Sequence, residues 1–171
     1  MNGTTIDGHN VSEDDRGFAL SVSDVLPGDM LSDRLSRITE LSDICKHLRF
    51  VCVRNDSMSL DLFKDAASAT AETGLGLILE SGDPLALYGV VSSLPDRRPL
   101  LCITDVEKTQ ETAVLSSVTG CPMAVGGRGT EDLMENVEAA EGCGAAGIVL
   151  CPGYTSMKGC LETNTDLHRL A

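Results

Sequence analysis

The sequence has few aromatic residues and no long apolar segment. Only 3% of its 171 residues are aromatic and none is Trp, so a core must be packed with Leu, Val, Ile and Ala. No run reaches the roughly 20 apolar residues that cross a bilayer. The polar, acidic N-terminus lacks the basic and apolar regions of a secretory signal. We therefore expect a cytoplasmic chain without a membrane partner, in which residues 1–16 form a disordered acidic tail.

Positive charge is also scarce. Lys and Arg number 13 against 26 Asp and Glu, which gives a formal net charge of -13. A protein that binds nucleic acid or an anionic membrane through electrostatic attraction needs the opposite balance. The acidity therefore excludes nucleic acid as a main partner and is typical of a well-solvated surface.

Histidine is rare, and the cysteines follow no metal-binding spacing. His9, His47 and His168 are the three histidines, and none follows a predicted strand, which argues against a His-based nucleophilic site. The cysteine count is odd and no C-x-x-C pair occurs, so a disulfide framework is not expected. An iron–sulfur or zinc site is not favoured by the spacing. Several cysteines lie in or beside strand patterns, where a reduced thiol packs as a small hydrophobe. The seven are Cys45, Cys52, Cys102, Cys121, Cys143, Cys151 and Cys160.

What the chain does contain is a repeated alternation of short apolar runs and helical patterns. Six predicted strands recur about every 22–27 residues apart from a longer first unit, which is typical of parallel βα units with right-handed crossovers. No G-x-G-x-x-G follows the first strand, so a dinucleotide-binding fold has little support. We predict an α/β domain over residues 17–171, an incomplete TIM-barrel-like fold, although an open doubly wound sheet remains an alternative. The strands are Phe18–Val22, Phe50–Val53, Leu75–Leu79, Pro99–Ile103, Pro122–Val125 and Ala146–Leu150.

Helix boundaries can be read from caps and glycines. Asp83 followed by Pro84 is the clearest start, because the carboxylate accepts from free N–H groups and proline needs no donor at the first position. Thr104 or Asp105 and then Thr130 are the predicted caps of the next two helices. Gly74 and Gly120 are predicted to end helices. A last helix is expected over residues 159–170.

Polar side chains follow several of the predicted strands. Asn55, Asp56, Glu80, Asp83 and Asp105 should gather at one edge if the strands are parallel, where carboxylates can bind a protonated heterocycle or act in acid–base chemistry. For the three aspartates a helix-capping role is the stronger interpretation. Asn55 and Glu80 are poorly placed as caps and are the better functional candidates.

Two further features have a functional and a structural interpretation. The loop Gly126–Thr130 opens a helix and could hold a phosphate with help from Arg128. Because Glu131 and Asp132 follow at once and repel anions, we favour a tight strand-to-helix turn. Cys151 follows a strand, but without a neighbouring base it is more consistent with a packed thiol than with a nucleophile.

The ordered strand-end motifs resemble those of a known family. LRFVCVRNDS, GLGLILESGDPLAL, RRPLLCITDVE, GCPMAVGG and GIVLCPGYT are similar, in this order, to the barrel domain of the corrinoid iron–sulfur protein of the CO dehydrogenase/acetyl-CoA synthase complex. The resemblance is nearer to the large (gamma) subunit than to the small one and extends from Phe18 to the C-terminus. Cys151 stands where the family has Asp.

The resemblance implies a role in methyl transfer from a methyltetrahydropterin to acetyl-CoA synthase. Family members have an eight-strand barrel, a four-cysteine 4Fe–4S motif and a cobalamin domain, and this sequence matches about six strands and neither cofactor region. We therefore expect a non-catalytic segment that binds no cobalamin or cluster by itself and has no metal-ligating residue. Expected partners are other subunits of the complex, or a second copy that completes the barrel. The residues expected to form a rim for substrate or partner are Asn55, Asp56, Glu80, Asp105, Gly127 and Gly153.

Two alternatives stay open from the sequence. The rim carboxylates and the Gly126–Gly129 loop also fit a stand-alone small-molecule enzyme related to pterin-dependent methyltransferases. A degenerate protein that keeps the fold pattern without an activity is the third interpretation.

Overall fold

A computed structural model of the protein describes residues 4–11 and 17–152. Five helices and a short 3-10 turn, Val106–Lys108, accompany eight strands in these ranges. The strands are β1 Thr4–Ile6, β2 His9–Val11, β3 Phe18–Ser23, β4 Leu48–Arg54, β5 Gly76–Ser81, β6 Leu100–Ile103, β7 Met123–Gly127 and β8 Ile148–Pro152. The helices are α1 Gly28–Ile44, α2 Leu60–Ala71, α3 Pro84–Ser93, α4 Thr109–Thr119 and α5 Thr130–Gly142.

Strands β3 to β8 form one parallel sheet in strictly sequential order. Each strand pairs with the next one along the chain, from β3–β4 to β7–β8. A doubly wound sheet reverses its strand order at a switch point, whereas a barrel does not. The predicted TIM-barrel-like fold is therefore confirmed, and the doubly wound alternative is excluded. Within the described residues β8 does not pair with β3, so the sheet is open.

The two faces of the sheet bury different sets of side chains, as the two-residue period of a strand requires. On the outer face Val51, Leu79 and Leu101 pack with helix residues such as Phe63 of α2 and Leu87 of α3. The inner face carries a second apolar cluster, which consists of Ile6, Phe50, Leu100 and Ala124. Helices therefore cover one face of the sheet, and the other face lines the barrel interior.

The N-terminal segment differs from the expected disordered tail. Residues 4–11 form an antiparallel hairpin in which β1 pairs with β2 and Ile6 lies opposite His9. The turn consists of Asp7 and Gly8, whose φ angles of 49° and 84° are those of a type I′ turn. Asp-Gly flanked by strand-forming residues is a strong hairpin signal, but the acidity of the segment obscured it in the sequence.

The hairpin closes the N-terminal end of the barrel interior. The Asp7 carboxylate accepts hydrogen bonds from the backbone N–H of Leu77 at 2.9 Å and of Arg98 at 3.2 Å. Its Oδ2 also lies 2.6 Å from Arg97 Nη2, with the Asp7 side chain only 2% exposed. Ile6 packs in the inner cluster with Phe50, and the His9 ring meets the Phe50 ring edge-on.

Most predicted helix boundaries agree with the structure. Asp83 Oδ1 accepts from Leu85 N at 3.0 Å before α3 begins at Pro84. Asp105 caps the 3-10 turn that leads into α4. Gly120 follows α4 with a φ of +70° and Gly74 lies three residues beyond α2 with +76°, a conformation that side chains rarely adopt.

Two predicted caps were wrong, and one predicted helix is outside the described residues. Asp56 does not cap α2, which begins at Leu60 after Ser59 without a side-chain cap hydrogen bond, and its carboxylate binds Arg54 instead. Thr130 is the first residue of α5, and Gly129 occupies the cap position without a side chain to contribute. Asp132 binds the free backbone N–H of Arg128 at 2.6 Å instead, so a carboxylate in the first turn replaces the expected hydroxyl. The helix expected over residues 159–170 lies outside the described residues.

Candidate functional site

The predicted rim residues lie at the carboxyl edge of the parallel sheet. Asn55 directly follows β4, Glu80 is in β5, Asp105 follows β6 and Gly127 ends β7. Functional groups of barrel folds occupy this edge because the strand-to-helix loops meet there. Gly153 lies outside the described residues.

Strand alternation directs these residues to two different sides. Glu80 shares the inner face with Ile78 of the interior cluster. Asn55 is on the helix-facing side, 9% exposed, and its Nδ2 donates to Ser81 Oγ at 3.0 Å. The Asn55 Oδ1 is buried without a hydrogen-bond partner among the described residues. Only Glu80 of this pair therefore faces the barrel interior.

Asp56 and Asp24 link the ends of β3 and β4. Ser23 Oγ donates to Asp56 Oδ2, which also lies 2.9 Å from Arg54 Nη2. Asp24 is 3% exposed and accepts from both N and Oγ of Ser57, at 2.8 and 2.5 Å. Asp24 was not among the predicted rim residues, although its position after a strand was a usable signal. Both oxygens of the Asp24 carboxylate accept local hydrogen bonds, whereas Asp56 is bound through Oδ2 and its side chain is 40% exposed.

Asp105 and Lys108 complete this edge next to β6. Asp105 Oδ1 accepts from Glu107 N at 3.2 Å, and its Oδ2 lies 3.8 Å from Lys108 Nζ. The Lys108 ammonium donates to Gly82 O at 2.9 Å and so joins the loops after β5 and β6. This geometry is that of a cap, as expected for Asp105.

A cavity of about 710 Å³ opens at this edge into the barrel interior. We call it the mouth cavity. Glu80 is the one carboxylate in its wall among the described residues, and Arg128 is the one cation. Small side chains on β7 leave the space open. Residues in the wall include Glu80, Cys102, Thr104, Ala124, Gly126, Arg128 and Cys151.

Burial disfavours ionisation of the Cys52 and Cys102 thiols on the inner face. Cys52 Sγ lies 3.7 Å from Glu80 Oε2. Burial, reinforced by the Glu80 charge, raises the pKa of Cys52 to about 12, and burial also raises the pKa of Cys102. A thiolate is the reactive form, so both groups are inert at neutral pH. Cys52 lies two residues after Phe50 on β4, and Cys102 lies two residues after Leu100 on β6, so the two-residue period of a strand places both thiols on the inner face. This signal was available in the sequence.

The Gly126–Thr130 loop is a close-packed turn. A Cβ at Gly127 would lie 2.5 Å from Leu133 Cα, so the absence of a side chain lets α5 approach β7. The backbone N–H of Arg128 donates to Asp132 Oδ2 and is therefore not available to bind an anion. Asn136 Nδ2 donates to Gly126 O at 2.9 Å and holds the loop from α5. The geometry supports the tight turn rather than a phosphate cradle.

The described residues do not fit an iron–sulfur cluster or a membrane span. A 4Fe–4S cluster needs converging cysteine thiolates, and residues 4–11 and 17–152 contain no group of three His, Cys, Asp or Glu placed to hold a metal. None of the helices in these ranges combines the length and the hydropathy that crossing a bilayer requires.

No protein-family model matches the chain, but two curated relatives do. The corrinoid/iron-sulfur protein large subunit of Moorella thermoacetica is 31% identical over 159 residues, which are 90% of this chain and 36% of that subunit. The acetyl-CoA decarbonylase/synthase complex subunit gamma of Methanothermobacter thermautotrophicus is 30% identical over 151 residues, 85% of this chain and 33% of that subunit. The chain thus spans about a third of the length of these relatives.

Solved structures share the fold at low sequence identity. Dihydropteroate synthase from Thermus thermophilus is 13% identical with a TM-score of 0.71, over 96% of this chain and 70% of that one. A truncated 3-deoxy-D-arabino-heptulosonate 7-phosphate synthase from Thermotoga maritima is 13% identical with a TM-score of 0.65, over 91% of this chain and 60% of that one.

The resemblance expected from the strand-end motifs is confirmed: over 85–90% of its length this TIM-barrel-like chain is similar to a third of the large, or gamma, subunit of the corrinoid/iron–sulfur protein.

Proposed function

We propose that the chain is a barrel-type, non-catalytic part of a methyl-transfer assembly of the acetyl-CoA synthase kind, with its mouth cavity facing a corrinoid held by a partner. The observation that carries the proposal is the similarity to the large, or gamma, subunit over 85–90% of the chain. Cobalamin and the 4Fe–4S cluster belong, in this proposal, to the assembly and not to this chain. No step of methyl transfer is assigned to its residues.

The chemistry of the mouth cavity supports a binding role over a catalytic one. Glu80 is its single carboxylate among the described residues and contacts the protonated thiol of Cys52. Covalent catalysis needs a nucleophile beside a base, and the raised pKa values of Cys52 and Cys102 oppose thiolate formation. Glu80 is therefore proposed to orient a polar group of the occupant, whereas Asn55, Asp56 and Asp105 support the loops around it.

The open edges of the sheet support association with other subunits. β3 has a strand partner on one side only within the described residues, and Phe18 on this edge is 61% exposed. At the other edge Leu150 of β8 is 43% exposed. Unpaired edges with apolar side chains favour pairing with further strands. We propose that neighbouring subunits, or a second copy of this chain, cover these edges.

Co-elution of the purified chain with a cobalamin-containing partner subunit tests the proposal. In size-exclusion chromatography we expect the corrinoid absorbance to shift to the complex. Glu80→Gln should weaken the complex, and Glu138→Gln on the exposed outer face of α5 should leave it unchanged. A wild-type chain that elutes separately from the corrinoid partner at every concentration contradicts the proposal.

A second candidate is a pterin-type heterocycle that binds in the mouth cavity itself. The position of Glu80 in the cavity wall favours it, since a carboxylate can accept hydrogen bonds from ring and amino N–H groups. Titration calorimetry with a methyltetrahydropterin should then give saturable heat. Loss of a charged hydrogen bond in Glu80→Gln should weaken binding about 10- to 100-fold. A folded sample without heat rejects this candidate.

A further inference from the structure

Helices α3 and α4 differ from the other outer helices in their lack of charge. The ten residues of α3 include no charged side chain, and α4 contains one, Glu111. By contrast, α1 contains six charged residues and α5 contains five. An outer helix normally carries charged side chains on its solvent face. In a chain with a net charge of -13, two neighbouring helices with a single charged residue between them mark a surface whose role differs from that of the charged, solvated surface.

The two helices expose large apolar side chains along a common groove. Leu85 and Tyr88 of α3 are 76% and 51% exposed, and Val114 and Val118 of α4 are 52% and 76% exposed. Their spacings of three and four residues place each pair on one helix face. With Leu115 at its base, the groove encloses about 590 Å³. A contiguous apolar patch of this kind marks an interaction surface.

The shape and charge of this groove indicate its occupant. A concave channel between two helices is filled by the ridge of a single third helix. A second copy would place groove against groove and leave the space unfilled. The charged residues of the lining are Asp83, Glu111 and Lys108, and the Lys108 ammonium lies 3.8 Å from the Asp105 carboxylate. Two carboxylates and one partly neutralised ammonium leave an excess of negative charge at this end.

We propose that the groove between α3 and α4 docks one basic amphipathic helix of a partner protein. Leu and other apolar side chains of that helix fill the space between Leu85, Tyr88, Val114 and Val118. Lys or Arg on its flank meets Asp83 and Glu111. The groove lies on the outer helical layer, and no residue of the mouth cavity contributes to its lining.

Binding of a model peptide to the full chain tests this proposal. The probe is a fluorescent amphipathic helix of Leu and Lys, about 18 residues or five turns long, compared with its Leu and Glu counterpart. We expect saturable anisotropy with the Lys peptide and at least tenfold weaker binding of the Glu peptide. Leu85→Ser with Val118→Ser should weaken the Lys peptide at least tenfold. The control Ile44→Ser changes an 84% exposed residue on α1 and should bind as wild type.

The Glu111→Lys variant tests the charge separately and leaves the apolar surface intact. It should weaken the Lys peptide several-fold at low salt, with the difference shrinking at high salt. Equal affinity of wild type and the Leu85→Ser, Val118→Ser variant would overturn the proposal. A wild-type chain that is a dimer by light scattering, and that the same double variant converts to a monomer, would also overturn it in favour of a second copy.

Discussion

At the scale of single residues, Asp7 joins the N-terminal hairpin to the rest of the molecule. Its buried carboxylate accepts from Leu77 N and Arg98 N and pairs with Arg97. Asp7→Asn keeps the turn, because Asn tolerates a positive φ, but removes the charge. We expect a loss of about 1.5–3 kcal/mol in the free energy of unfolding, measured by urea denaturation.

Asp96 offers the matched control for Asp7. It is exposed in the loop after α3, and surface substitutions of this kind change stability by about 0.5 kcal/mol or less. Equal stability of Asp7→Asn and Asp96→Asn would mean that the hairpin contributes nothing to the stability of the fold.

Cys52 makes the stability of the protein sensitive to alkaline pH. Its pKa is raised by burial and by Glu80 from 9.0 to about 12, so the unfolded chain ionises first. The stabilisation is complete below pH 9 and is lost as the pH rises toward 12. Cys52→Ala should reduce the slope of unfolding free energy against pH, between pH 9 and 11, by up to about 1.4 kcal/mol per pH unit.

The exposed Ile44 provides the comparison for this slope, because Ile44→Ala removes no titratable group. This variant should leave the pH dependence as in wild type when urea midpoints are measured at several alkaline pH values. An unchanged slope in Cys52→Ala would show that this thiol ionises normally in the folded protein.

At the scale of elements, Gly127 sets the distance between β7 and α5. A Cβ at this position would lie 2.5 Å from Leu133 Cα, and helix backbone cannot give way as a flexible side chain does. Gly127→Ala should destabilise the protein by about 1–3 kcal/mol. Gly129→Ala is the control, since no heavy atom lies within 4 Å of its Cβ position and its φ of 171° is extended. Similar thermal midpoints of the two variants would contradict the close approach.

Local signals predicted most of the elements, but they did not predict the face of the sheet on which each rim side chain lies. Asp83 and Pro84 start α3 as expected, because a cap depends on neighbouring residues. The local Asp-Gly signal of the hairpin was obscured by the acidity of the segment, and the contacts that hold it include Arg97 and Arg98, about 90 residues further along the chain. The side to which Asn55 points depends on the pleat of β4 and on the position of Ser81, which composition and spacing do not contain. Whether Asn55, Asp56, Glu80, Asp105 and Gly127 act in function stays a prediction.

At the scale of the whole molecule, the excess of negative charge opposes the compact state. There are 26 acidic and 13 basic residues, and the side-chain ion pairs of the described ranges include Arg54–Asp56, Arg97–Asp7 and Lys108–Asp105. Raising the salt from about 0.01 to 1 M shortens the screening length from roughly 30 to 3 Å. We expect the thermal midpoint to rise with salt, because self-repulsion weakens.

A variant with fewer charges tests the same point without salt. Glu138→Gln with Glu141→Gln, both on exposed positions of α5, should raise the thermal midpoint at low salt and flatten its salt dependence. A midpoint that falls in both experiments would show that attractive pairs outweigh repulsion.

The hairpin has a consequence for the order of events during synthesis. It is the first part of the described chain to be made, yet its docking site includes Leu77, Arg98 and the residues around Gly147, near which Thr4 lies. Contacts of such long sequence separation form late, because the loop entropy must be overcome first. We therefore expect the hairpin to dock, and the interior cluster around Phe50 to be closed, only after β7 and β8 have been synthesised.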